Sequence, residues 1–147
     1  MKPFLSFLIG VFIFSCQSPK EEARKPEEKK VQVKTLAPIS EEVVAHSVLY
    51  EANIRQYSEE GTFNAFAQDL PVLKKMGVKI LWLMPINPIS TTKSKGPLGS
   101  YYAVSDYTKV NPEFGTLEDF KALVQKAHEL GIYVILDWVP RHTGGDH

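Results

Sequence analysis

One cysteine, Cys16, is all the thiol in this 147-residue chain. No intramolecular disulfide and no cysteine-based zinc site can form, so neither stabilises the fold. An excess of either charge is also missing: 17 Lys+Arg stand against 17 Asp+Glu. Without a basic surplus there is no electrostatic footprint for nucleic acid, and at 44% hydrophobic residues the chain is not a disordered acidic one. No apolar run reaches the roughly 20 residues of a membrane-spanning helix; the run from Phe4 to Phe14 is broken by Ser6 and Gly10. Phosphate-cradling signatures are absent too, with neither a P-loop nor a Gly-x-Gly-x-x-Gly turn. What remains suits one domain held by hydrophobic burial, since a single core takes roughly 100 to 200 residues.

Met1-Lys2 gives the apolar run a short positive start, and its length fits the about 7 to 15 residues of a signal peptide. Ser15 then precedes Cys16, and Ile13-Phe14-Ser15-Cys16 resembles a bacterial lipobox. The resemblance implies cleavage that leaves residues 1–15 as leader and lipidation of Cys16. Acyl chains would anchor the protein firmly, at about 0.8 kcal/mol per buried methylene. The expected partner is a membrane, and the expected place is the bacterial cell envelope, at the outer membrane or cell surface. From Gln17 to Lys34 the chain mixes Pro19, Pro26, Lys, Arg and Glu with almost no apolar residue. Such a stretch cannot offset its own chain entropy, so 16–42 reads as a disordered tether ahead of a globular region at 43–147. The pair Glu21-Glu22 loosely resembles a surface-export signal of some Gram-negative lipoproteins, but an ordinary solvated charge run is the better reading.

Within the globular region a pair of segments echo each other, Met76-Gly77 followed by Val78 to Pro85 and Leu130-Gly131 followed by Ile132 to Asp137. Each is a helix that ends at glycine and gives way to a nearly continuous apolar run. Leu117, Phe120, Leu123, Val124, Ala127 and Leu130 form one helical stripe, with Thr116 as N-cap and Asp119 three residues on. Phe63, Phe66, Leu70, Leu73 and Met76 form another, in which Pro71 predicts a kink or a late start. Apolar runs without alternation mark strands covered on both faces, as in parallel sheets. With a first strand at His46 to Glu51, the order is strand, helix, strand, helix, strand. An open dinucleotide-binding sheet would need a glycine-rich turn where Ala52 to Tyr57 stand, so a closed barrel is the better fit. Gly77 and Gly131 lie further apart than the roughly 31 residues of one unit in an eight-fold barrel, and the excess falls between Pro85 and Phe114. The expected fold is α/β, a partial TIM (β/α)8 barrel of about the first three strand-helix units.

Four blocks carry a family resemblance: Tyr50 to Tyr57, Gly77 to Ile86, Tyr102 to Tyr107 with Asn111 to Thr116, and Asp137 to Thr143. In this order and spacing they resemble the start of the catalytic barrel of the alpha-amylase family of glycoside hydrolases. The resemblance implies retaining cleavage of α-glucosidic bonds in α-glucans or maltooligosaccharides. It makes Tyr102 the aromatic platform under the sugar beside the scissile bond, His142 a hydrogen-bond donor to that sugar and Asp106 a positioning group at the substrate. The resemblance likewise makes Asp137 a residue that supports the site rather than attacking. A ring with convergent polar groups suits a pyranose, which presents apolar C–H faces and hydroxyl edges. For Trp82 and Trp138 packing is the expected role.

Retaining hydrolysis needs a nucleophile and an acid, two carboxyl groups about 5 to 5.5 Å apart. In the resembled family both, and a third acidic residue, lie on strands after the third, so none is expected here and no catalytic residue is assigned. The expectation is an N-terminal fragment of a longer enzyme, with no hydrolysis by this chain alone and with unpaired sheet edges and apolar surface left facing water. The alternative is a non-catalytic or degenerate glycan-binding lipoprotein using the same Tyr102 and His142. Arg141 stands where the family usually has an asparagine that helps hold Ca²⁺, and Gly145 where many members have tryptophan. A guanidinium offers no acceptor, so no structural calcium, other metal or cofactor is expected.

Overall fold

The structure, a computed structural model, describes residues 35–147. The leader, Cys16 and the tether up to Lys34 lie outside the described residues. The first element among the described residues is the short helix α1 (Glu41–Ala45), whose N-cap Ser40 accepts a hydrogen bond from the Val43 N–H, with Glu41 and Glu42 in its first turn. A serine cap followed by acidic residues favours a helix start, because both answer the unpaired N–H groups there. The boundary expected at Val43 therefore falls inside α1.

Three strands follow, β1 (Val48–Ala52), β2 (Val78–Leu83) and β3 (Tyr133–Leu136), all parallel and in the order β1-β2-β3. Between β1 and β2 run α2 (Ile54–Tyr57), α3 (Phe63–Gln68) and α4 (Leu70–Lys75); α5 (Leu117–Glu129) joins β2 to β3. The stripe expected as one helix is thus broken in two at Asp69, with Pro71 in the first turn of α4, where a missing N–H costs nothing. Met76 does not continue the stripe: it is the C-cap of α4 and is 62% exposed. The N-terminus of α5 is as expected, with Thr116 accepting from the Asp119 N–H and Asp119 accepting in return from Thr116. Gly77 and Gly131 take φ of 90° and 72°, the left-handed conformation that lets each helix stop within a residue or two of its strand.

The strand register separates the two faces of the sheet. Tyr50, Ala52, Leu81, Leu83 and Val134 pack with Phe63, Phe66, Leu70, Leu73, Leu123 and Ala127 of the helices into the core. Phe114 joins them, with ring centroids of Phe63 at 5.9 Å from Phe114 and 5.4 Å from Phe120. The alternate positions Leu49, Glu51, Ile80, Trp82, Tyr133 and Ile135 occupy the other face. That face is partly covered: Ile80 is buried and the Tyr133 hydroxyl donates to Ala37 O, while Leu49 is 48% and Ile135 44% exposed. Apolar strand residues exposed there match the expected uncovered barrel surface.

Candidate functional site

The C-terminal ends of the three strands are level, because Met84 N–H donates to Ala52 O and Asp137 N–H to Leu83 O. Asp137 thus extends the ladder by one residue, and alternation places it on the face shared by Glu51, Trp82 and Ile135. Above this rim the segment from Pro85 to Phe114 folds back on itself. Ser90 N–H donates to Ala103 O at 2.7 Å, Ser105 N–H to Pro88 O at 2.9 Å, and Ile89 bridges Val104 antiparallel. The turn leading into this pairing is drawn tight by Ser100, whose hydroxyl accepts from Tyr102 N–H and whose carbonyl accepts from Ala103 N–H.

That hairpin carries Tyr102 to Asp137. The phenol donates to Asp137 Oδ2 at 2.8 Å, across 35 residues of sequence. The hydrogen bond to the Asp137 carboxylate holds the phenol above its ordinary pKa, followed by desolvation and by the negative charges of Asp137 and Glu51. Ionising the phenol would set one anion against two, so Tyr102 stays a neutral donor and the ring is fixed in direction. The tyrosine and the aspartate form one unit at the strand rim.

His142 sits on the segment after β3, and its carbonyl accepts from the Tyr107 hydroxyl at 3.0 Å. The single hydrogen of that hydroxyl is shared with Val139 O, the nearer acceptor at 2.7 Å. Two residues further on, Gly144 N–H donates to Val104 O at 2.7 Å, which closes the segment onto the hairpin. Residues 102–107 and 137–144 therefore share one end of the sheet, and His142 is exposed there. Asp106 is engaged within its own turn: Oδ1 accepts from the Thr108 N–H and hydroxyl, and Oδ2 pairs with Lys109 at 2.8 Å. The Lys109 ammonium, then the Thr108 donors, pull its pKa well below the usual carboxylate range. The structure brings Tyr102 and Asp137 into contact, holds the backbone of His142 nearby through Tyr107, and turns the Asp106 carboxylate toward Thr108 and Lys109.

Three contributors went unassigned in the sequence. Tyr107 lies inside a quoted block, but its two carbonyl partners are more than 30 residues away. Glu51 is an acid in an apolar strand, and its alternation with Leu49 was the available signal. Arg55 gave none. On the other flank of Asp137 a groove of about 220 Å³ opens between Ile86, Asn87, Tyr107, Leu117 and Trp138, with the Tyr107 and Trp138 rings edge to face at 6.3 Å. Arg141 supplies N–H groups only, and among the described residues no three or more His, Cys, Asp or Glu are grouped as metal ligands.

A family model described as the alpha-amylase catalytic domain matches residues 27–147. The alpha-amylase SusG of Bacteroides thetaiotaomicron is 36% identical over 156 aligned residues, covering 98% of this chain and 21% of that protein. Maltase 1 of Drosophila virilis is 37% identical over 108 residues, covering 69% of this chain and 16% of the maltase. Among solved structures, an alpha-amylase from Lactobacillus plantarum superposes with a TM-score of 0.68 at 51% identity, over 69% of this chain and 24% of that one. A maltogenic alpha-amylase from Thermotoga neapolitana gives 0.66 at 42% identity, over the same shares. The chain spans about a fifth of the length of the curated relatives it matches. Its three parallel strands with their helices belong to a TIM barrel, open on the face where Leu49 and Ile135 meet solvent. A match over most of its length, carried by both the strand units and the rim segments, makes this chain a member of the alpha-amylase catalytic-domain family.

Proposed function

We propose that this chain supplies the sugar-gripping rim of a retaining glycoside hydrolase acting on α-glucans or maltooligosaccharides. Tyr102 is the platform under the glucosyl unit beside the scissile bond, and Asp137 fixes that platform from below. His142 donates to the sugar's hydroxyl edge. Asp106 acts at one remove, by shaping the turn that delivers Tyr107 to the His142 backbone. The observation that carries the reading is the 2.8 Å hydrogen bond from Tyr102 to Asp137 at the level end of three parallel strands. A ring held by one polar contact at its tip leaves its face free for the C–H face of a pyranose. Chemistry in this reading falls to two carboxyl groups about 5 to 5.5 Å apart on later strands of the barrel. A lipidated Cys16 at a bacterial envelope membrane completes the proposal and would hold the rim near extracellular glycan.

Maltoheptaose binding by the protein as encoded is the test, read by calorimetry alongside hydrolysis. Tyr102→Ala should weaken binding by about tenfold or more, since loss of an aromatic anchor costs over 1 kcal/mol. Binding that ignores this substitution removes Tyr102 from the site. Binding without turnover in an otherwise intact barrel identifies a glycan-binding protein instead. Cys16→Ser should shift the protein from the membrane fraction to the soluble one; an unchanged distribution ends the anchor proposal.

A further inference from the structure

We propose that Arg55 is a positioning residue for the sugar platform, holding Tyr102 in place through Tyr101 and the 98–101 loop. The inference rests on Tyr102 as the platform, and its support is a junction that the fold alone does not require. Arg55 stands in α2, just beyond the C-terminal end of β1, with a side chain only 15% exposed. One face of its guanidinium lies over the Tyr101 ring, 4.8 Å from the centroid, and the Phe114 ring is at 5.9 Å. Nη2 donates to Glu113 Oε2 at 2.6 Å and Nη1 to Leu98 O at 3.4 Å. Nε is buried with no hydrogen-bond partner. A mostly buried cation with one unmet N–H is a costly way to close a loop that an apolar side chain could pack. What the planar fork adds is direction: it engages two separate segments at once, 98–101 and 113–114, through a ring face and two N–H groups, a geometry lysine cannot reproduce.

The link from Arg55 to the sugar runs through adjacent residues. Tyr101 packs against the core with Arg55 stacked on it, and Tyr102 points to Asp137. The Ser100 turn converts the one placement into the other, because its hydroxyl and carbonyl hold the Tyr102 and Ala103 N–H groups. Loss of the clamp frees Leu98 to Tyr101 and lets the Tyr102 phenol leave Asp137.

The experiment uses the protein as encoded, with Arg55→Met and Arg55→Lys, and reads three quantities. The first is the ionisation of Tyr102, followed by NMR of ring-labelled tyrosine and assigned with Tyr102→Phe. In the parent protein it lies above the ordinary tyrosine value because of the Asp137 hydrogen bond; in Arg55→Met it should fall back toward about 10. The second is KM for maltoheptaose, or Kd if turnover is absent, which should rise about tenfold with kcat changed far less. The third is the melting temperature. Arg55→Lys keeps a cation for Glu113 and should melt close to the parent, yet show the same lowered Tyr102 ionisation and weakened binding. Arg55→Lys restoring both would overturn the fork argument, and an unmoved Tyr102 in folded Arg55→Met would overturn the clamp. Should Arg55→Met not fold, Arg55→Lys and Glu113→Gln carry the same readouts. If the parent binds no maltoheptaose, the glucan reading fails, while the Tyr102 titration still decides whether Arg55 positions that ring.

Discussion

Replacing Tyr102 by Phe, Asp137 by Ala, and both together asks whether the two residues act as a unit. The substitution at 102 removes one oxygen and leaves the ring. Its bond to Asp137 is 2.8 Å long, half-buried and made to a charged acceptor. Hydrogen bonds to charged groups contribute about 1.5 to 3 kcal/mol, and partial exposure here argues for the lower end, about 1.5 kcal/mol. Each single variant should therefore lose about that much in urea unfolding, and the double variant little more, a coupling of about 1 to 1.5 kcal/mol. The pH dependence follows from the direction of the phenol's shift. Because the folded-state pKa is raised, the stability it contributes is complete below the ordinary value of about 10 and is lost as pH rises through the folded-state pKa. Tyr102→Phe should lack that alkaline loss. The two single effects adding within about 0.5 kcal/mol would refute the coupling and reduce the 2.8 Å contact to coincidence.

Two further outcomes follow from local structure. Thr116→Ala removes an N-cap from α5 and strands the Asp119 N–H, which should cost about 1 to 2 kcal/mol by urea unfolding; a change under about 0.3 kcal/mol would mean that the cap is frayed in solution. Tyr57 is pushed up to about 12 by burial first and by its hydrogen bond to Asp69 second. Its stabilising share is complete below about pH 10 and lost as pH rises through about 12, so Tyr57→Phe should flatten the alkaline limb of the stability curve. An alkaline limb identical in Tyr57→Phe would contradict the shift.

Signals confined to a few residues were legible in the sequence. Thr116 with Asp119, and the glycine stops at 77 and 131, answer backbone needs within one turn, so residue type alone marks them. Strand order was legible because apolar runs separated by helices leave few parallel arrangements. Where the sequence misled, tertiary packing or a short cap decided the outcome. Met76 has the right spacing for the stripe, but a break at Asp69 and the end of α4 carry it into solvent. Ser40 is a helix start set in a polar stretch, easily absorbed into the tether. At the site, the blocks named Tyr102 and Asp137 as separate contributors; their contact spans 35 residues and depends on the fold of the intervening hairpin. The Arg55 contacts to Leu98 and Glu113 span 43 and 58 residues, and no local pattern encodes them.

This division explains why the site is assembled as it is. A strand end places a carboxylate with little freedom, because Asp137 N–H is already committed to Leu83 O. The Tyr102 ring is instead brought over the rim by a segment long enough to turn back, and a segment of that length has no fixed direction of its own. Direction is imposed by cross-links: Ser90 to Ala103, Ser105 to Pro88, Gly144 to Val104, Tyr107 to Val139 and His142, and Arg55 beneath Tyr101. Most of these use backbone groups, which any sequence of the right length could offer. The side chains that remain specific are the few that replace a missing ladder bond or hold a ring by its face. Under the proposal that Tyr102 carries the sugar, the placement of its ring depends on residues that would never touch sugar, and loss of Arg55 should move the ring without dismantling the sheet.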